Sequence, residues 1–126
     1  MPRVVRAFPL KASIADLTAF SEALAGPRSG DAARFYRRYG VESESWHLQK
    51  TDHGPWVIVV TEIADPVDAA PRYADATEAF HLWFKSQVET LTGVDPNYTP
   101  LGPPTKEVFV WQDRASAAQD RAAAPA

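Results

Sequence analysis

The sequence predicts an α+β domain of ferredoxin-like βαββαβ order, an antiparallel four-stranded sheet with its helices on one face. Three observations carry that prediction. A period-two stretch runs through a turn into the aliphatic strand 56-WVIVVTEI-63. Two segments of helical period each open on a recognisable cap, and short β-branched runs stand near both ends of the chain.

The elements follow in order. Val4 to Phe8 is short, apolar and β-branched, a first strand. Ser13 with Asp16 three residues on has the spacing of a capping box, and Ile14, Leu17, Phe20 and Leu24 then recur at helical spacing until Gly26-Pro27 ends the helix. Asp31 is placed to cap a second piece, DAARFYRRYG, which stops at Gly40. From Glu42 the period becomes two: Glu42, Glu44, Trp46, Leu48 and Lys50 share one strand face, and Ser43, Ser45, His47, Gln49 and Thr51 the other. Asp52 to Pro55 is a turn, and the strand after it is apolar on both faces, which predicts cover on both sides. Helices on one face leave the other to be hidden, most cheaply against a second copy.

Asp65, Pro66 and Asp68 form a helix start, with a cap, a proline in the first turn and an acid near the positive end of the dipole. Pro71 is expected to break or kink that helix, with helix resuming near Ala74 and running to Gly93. The proline-rich stretch 95-DPNYTPLGPP-104 reads as an irregular loop, and Lys106 to Gln112, KEVFVWQ, as the last strand. Residues 1–113 therefore make the domain. The low-complexity tail 114–126 is poor in bulky apolar residues and is expected to be disordered.

At 126 residues the chain is long enough for one domain with a core of its own. It has no cysteine, which removes disulfides, thiolate metal sites and a thiol nucleophile. The 13 basic and 16 acidic residues, net −3, give no pull toward nucleic acid or an anionic membrane. RNA-recognition domains share the strand order, but they carry stacking aromatics and a basic residue where this chain has WVIVVTEI. The first residues lack the apolar run of a signal peptide and no stretch approaches a membrane span, so the expectation is a soluble, cytoplasmic protein.

Candidate site residues come from positions that break these patterns. On the helix ending at Gly93, Phe80, Phe84, Val88 and Leu91 form a core stripe, with Trp83 at its edge. Gln87 falls inside that stripe, where a buried amide must find partners or face a polar cavity. His81, Lys85 and Glu89 take the opposite side, a solvated face with a Lys85–Glu89 pair, or else a functional face with His81 as an acid/base or haem-facing group and Lys85 as an anion anchor. His47 sits mid-strand opposite Trp46. If Trp46 faces the helices, His47 faces the open side, and a face-to-face dimer would enclose it. Tyr98 in the proline loop and Trp111 on the last strand are aromatics placed to wall a pocket. No spacing of ligating residues suggests a metal, and no hydrolase elbow or phosphate loop is present.

With these elements in place, the chain resembles the dimeric α/β-barrel superfamily, and most closely a group of short bacterial proteins within it. The resemblance covers roughly Val4 to Gln112. Its most recognisable piece is Trp83 to Asn97, WFKSQVETLTGVDPN, followed by GPP and VFVW. It implies a homodimer of two ferredoxin-like sheets packed face to face, with small apolar or aromatic ligands held between each sheet and its helices or partner. The superfamily includes cofactor-free monooxygenases, isomerases and haem-degrading enzymes. The haem-degrading pattern needs an asparagine on an early strand, and the only asparagine here is Asn97, so no cofactor is expected.

The expectation is thus a homodimer that binds or transforms a small apolar or aromatic molecule beside its sheet. His47 is the candidate for proton transfer, and Trp83, Gln87, Tyr98, Trp111, Glu62 and Lys85 are the candidate ligand-lining residues. The alternatives are a non-catalytic dimerisation module, or an enzyme of cofactor-free monooxygenase or isomerase type.

Overall fold

The run WVIVVTEI becomes the central strand of the sheet. The computed structural model describes residues 2–95 and 103–113, with four helices and three strands among them. In chain order these are β1 (Arg3–Pro9), α1 (Ile14–Ala25), α2 (Ser29–Arg38), β2 (Val41–Thr51), β3 (Gly54–Ile63), α3 (Pro66–Asp75) and α4 (Ala79–Thr92). The strands pair antiparallel in the order β1-β3-β2, with Arg6 opposite Val59 and His47 opposite Ile58. The fold is α+β, as expected.

Strand alternation sorts the two faces. Val57, Val59, Thr61 and Ile63 of β3 are buried and turn toward the helices, joined there by Phe8 and the half-buried Trp46. On that side Phe20 of α1, Phe35 of α2, Tyr73 of α3 and Phe84, Val88 and Leu91 of α4 complete one core. The other face carries Val5, Ala7, Trp56, Ile58 and Val60 in the middle and Ser45, His47 and Gln49 along β2, and it stays at least partly exposed. The cover predicted for both faces is therefore provided by this chain on one of them.

The caps formed as the sequence indicated. Ser13 Oγ accepts from the Asp16 N–H at 3.0 Å and Asp16 Oδ2 accepts from the Ser13 N–H at 3.2 Å, closing the box that starts α1. Asp65 Oδ1 accepts from the Asp68 N–H at 3.0 Å, with Pro66 opening α3. The β2–β3 turn is tighter than the four residues expected. Thr51 already pairs with Gly54, whose φ of +102° is open to glycine but costly for other residues. Gly93 closes α4 at φ +71°, its N–H donating to the Glu89 carbonyl at 2.8 Å.

Four expectations need correction. The second helix starts at Ser29 rather than at an Asp31 cap; Asp31 lies in its first turn and pairs with Arg34. α3 runs through Pro71 to Asp75, and the chain breaks only after that, between Ala76 and Glu78. The buried face of α4 is His81, Phe84, Lys85, Val88, Leu91 and Thr92, so His81 and Lys85 belong to the core side and Phe80 is only half-buried.

The fourth correction concerns Lys106 to Gln112, which is not a strand. The Thr105 N–H donates to the Val5 carbonyl at 2.7 Å, touching the outer edge of β1, but Val108, Phe109, Val110 and Trp111 are 88, 80, 61 and 72 % exposed. A β-branched run favours extended backbone, whereas a strand needs a continuous partner edge, and propensity does not supply one. Residues 114–126 and the loop residue Tyr98 lie outside the described residues.

Candidate functional site

Glu44 organises a concavity between the sheet and the helices. A bulge at Val41–Ser43 shifts the register of β2 against β3, so that Val41 and Glu44, three residues apart, both turn toward the helices. Glu44 then lies opposite Thr61 on the core side of the sheet, where a carboxylate needs hydrogen bonds to replace water. It has three. Tyr36 Oη donates to Oε1 at 2.9 Å, Trp46 Nε1 donates to the same oxygen at 3.0 Å, and Thr61 Oγ1 donates to Oε2 at 3.0 Å. Arg6, opposite Val59 on β1, is close enough to Glu44 and Tyr73 to interact electrostatically with both.

These groups form the floor of a cleft between the sheet and helices α2 and α3. The cleft holds a cavity of about 90 Å³ beneath an open mouth. Its walls are apolar and aromatic: Phe35 and Tyr39 from the α2 end, Ala69 and Tyr73 from α3, Phe84 from α4 and Ile63 from β3. Phe35 is the hub, with ring centroids 4.7 Å from Phe84 and 5.9 Å from Tyr73.

The electrostatics follow from burial. Burial raises the pKa of the Tyr36 phenol, and the Glu44 carboxylate beside it raises it further, so the hydroxyl stays protonated and donates to Glu44. Tyr73 is pushed up by the same two causes in the same order. Burial lowers the Arg6 pKa, with Glu44 and Tyr73 acting in the other direction. The Tyr73 hydroxyl, on a residue only 6 % exposed, has no hydrogen-bond partner among the described residues, nor does that of Tyr39. A buried hydroxyl left without a partner is costly and uncommon, and both belong to residues that wall this cleft, although neither oxygen opens into it.

A second concavity lies on the far side of Phe35, where His81 meets Glu78, Arg38, Asp31 and Arg34. The His81 ring packs 4.9 Å from Phe35 and 5.6 Å from Tyr39, and burial lowers its pKa. Its Nδ1 stands 3.6 Å from Glu78 Oε2, while Glu78 is held by Arg38.

The candidate residues are spread over several surfaces. His47 is exposed on the open sheet face, with Nε2 2.8 Å from Ser45 Oγ. Glu62 shares that face, its Oε1 3.9 Å from Arg3. Trp83 is half-buried on α4 against Phe20 and Phe80, with the Arg28 guanidinium 4.0 Å from its ring centroid. Gln87 is half-buried on the same helix. Trp111 projects from the exposed terminal segment. Lys85 is buried, not solvated. Its Nζ donates to the Ala74 and Ala76 carbonyls at 2.7 and 2.9 Å, capping the C-terminal end of α3. None of these residues lines the Glu44 cleft.

Glu44 itself was within reach of the sequence. It shares the period-two face of Trp46 and Leu48, and an acid on the face of a core tryptophan is an anomaly of the kind that singled out Gln87. Arg6, Tyr36 and Tyr73 carry no such local signal. Among the described residues no cluster of three His, Asp or Glu side chains is placed to hold a metal, and no helix is long and apolar enough to cross a membrane. No family model, curated protein or solved structure matches the chain.

Proposed function

We propose that the protein binds a compact apolar or aromatic molecule in the Glu44 cleft and works as a homodimer of the dimeric α/β-barrel type. The observation that carries the binding reading is the cleft itself: an aromatic wall around Phe35 over a floor that carries Arg6, Glu44 and Thr61. The test is a protein-observed NMR screen of single-ring compounds. Concerted shifts at Phe35, Tyr73 and Phe84 support the reading, and hits that never shift those residues remove it.

What supports the dimer is the open sheet face. Val5, Ala7, Ile58, Val60 and Trp56 form an apolar centre there that this chain leaves partly uncovered, rimmed by Ser45, His47 and Gln49. A ferredoxin-like sheet would contain the order β1-β3-β2 with a fourth strand beside β1, and the Thr105–Val5 bond brings the chain to that edge. Sedimentation equilibrium checks the pairing. A dimer that Val60→Asp converts to a folded monomer agrees with it, and a wild-type monomer at micromolar concentration opposes it. Within such a dimer the Ser45–His47 pair would be enclosed beside Ile58, which keeps proton transfer by His47 as a second reading. Unchanged turnover in His47→Ala, once a substrate is known, would end that role.

A further inference from the structure

We propose that two copies of this chain exchange their terminal arms, residues 106–112 of each adding as a strand to the outer edge of β1 in the other. The inference rests on the homodimer reading and adds the segment that each copy lends to its partner.

The edge comes first. In the order β1-β3-β2, β1 has a neighbouring strand on one side only. Antiparallel pairing turns the backbone groups of alternate residues toward the partner and those between them outward. The Pro2 carbonyl accepts from Ile63 and the Leu10 N–H donates to Pro55, so the even-numbered residues face β3. Arg3, Val5 and Ala7 therefore present their N–H and C=O groups to the outer edge. Among the described residues, the Val5 carbonyl alone of these has a backbone partner, the Thr105 N–H. Such an edge is a template for one more strand.

The arm has the composition of that strand. Val108, Phe109, Val110 and Trp111 form an unbroken β-branched and aromatic run, and all four are exposed. The chain's own β1 does not seat it. From the Thr105–Val5 bond, an antiparallel arm sets Glu107 against Arg3, the first residue of β1, and leaves the strand before Val108. A second copy offers the whole edge, seven residues from Arg3 to Pro9 for the seven of 106–112. Charge agrees with that pairing: β1 carries Arg3 and Arg6 and no acid, and the arm and its end bring Glu107 and Asp113 against a single lysine, Lys106. Alternation then places either Phe109 and Trp111 or Val108 and Val110 beside Val5 and Ala7, so the exchange widens the open apolar face on which the copies meet. Phe109 and Trp111 bring roughly 200–400 Å² per arm, which over two arms is a third or so of a standard interface, and the open face supplies the remainder.

The chain has no cysteine, so Gln112→Cys gives one attachment point for a nitroxide at the end of the arm. Full-length protein carrying the nitroxide is mixed with ¹⁵N-labelled wild type and the copies are allowed to re-pair, so that only contacts between copies broaden the ¹⁵N signals. The Val5, Arg6 and Ala7 amides should lose most of their intensity, and reduction of the nitroxide should restore it. In wild type the outward Val5 and Ala7 amides should exchange with solvent slowly, and Phe109→Asp, a change at an exposed position, should speed that exchange at least tenfold. A dimer by sedimentation whose Val5 to Ala7 signals are untouched, or whose broadening falls on Ile58 and Val60 and spares β1, would overturn the exchange and leave the homodimer standing. A monomer would remove both. The broadening in wild type decides the question even if Phe109→Asp fails to fold.

Discussion

Replacing Lys85 by methionine should destabilise the protein by about 1–4 kcal/mol, and the size of that loss follows from where the ammonium sits. Nζ donates to the carbonyls of Ala74 and Ala76, at 2.7 and 2.9 Å, where α3 ends and its last carbonyls have no helical partner. Each such charged hydrogen bond is worth about 1.5–3 kcal/mol, and the favourable position at the negative end of the α3 dipole adds roughly 0.5 kcal/mol. Against that gross sum of about 4–6 kcal/mol stands the cost of burying an ammonium on a residue only 6 % exposed, roughly 2–3 kcal/mol after relaxation, which the neutral thioether recovers. Methionine keeps the apolar stem, so packing changes little, although the approach of Nζ to the Tyr73 ring, 5.4 Å from its centroid, is lost with the ammonium. Urea unfolding followed by tryptophan fluorescence measures the difference. A change below about 0.5 kcal/mol would refute the reasoning, because it would mean that the two carbonyls are satisfied without Lys85.

Two further changes probe the same architecture. Glu44→Gln keeps an acceptor for Tyr36 and Trp46 but removes the charge that faces Arg6 and the second acceptor for Thr61, and should cost about 1–3 kcal/mol in urea unfolding. His81 sets an acid dependence. Burial lowers its pKa in the folded state, with Glu78 opposing and Arg38 and Lys85 reinforcing the shift, so the unfolded chain takes up its proton first as pH falls below about 6.5. Stability at His81 is thus complete above that pH and declines as pH drops through the folded value. Comparing wild type with His81→Phe from pH 7.5 to 5 should show a steeper decline in wild type, and parallel curves would contradict it.

Much of the fold was legible because its signals are local. The Ser13–Asp16 box, the Asp65–Pro66 start and the change to period two at Glu42 each depend on neighbours within a few residues, and each formed. The terminal run VFVW was misread because β-branching describes what a backbone tolerates and not whether an edge is waiting for it. Lys85 and His81 were misplaced for a different reason. A helical wheel sorts residues by polarity, whereas a lysine with a long apolar stem and two carbonyls to cap belongs on the buried side. The cleft was the least legible part. Arg6, Tyr36, Glu44, Thr61 and Tyr73 come from five elements, and only the folded sheet and its bulge bring them together.

The most direct test of the account is an intermolecular NOE measurement on the protein with a single-ring compound bound. The account predicts contacts from the ligand ring to Phe35, Tyr73 and Phe84, with none to the open sheet face. Contacts to Trp56, Ile58 or Val60 instead would place the binding surface on the other side of the sheet and contradict the assignment of the Glu44 cleft.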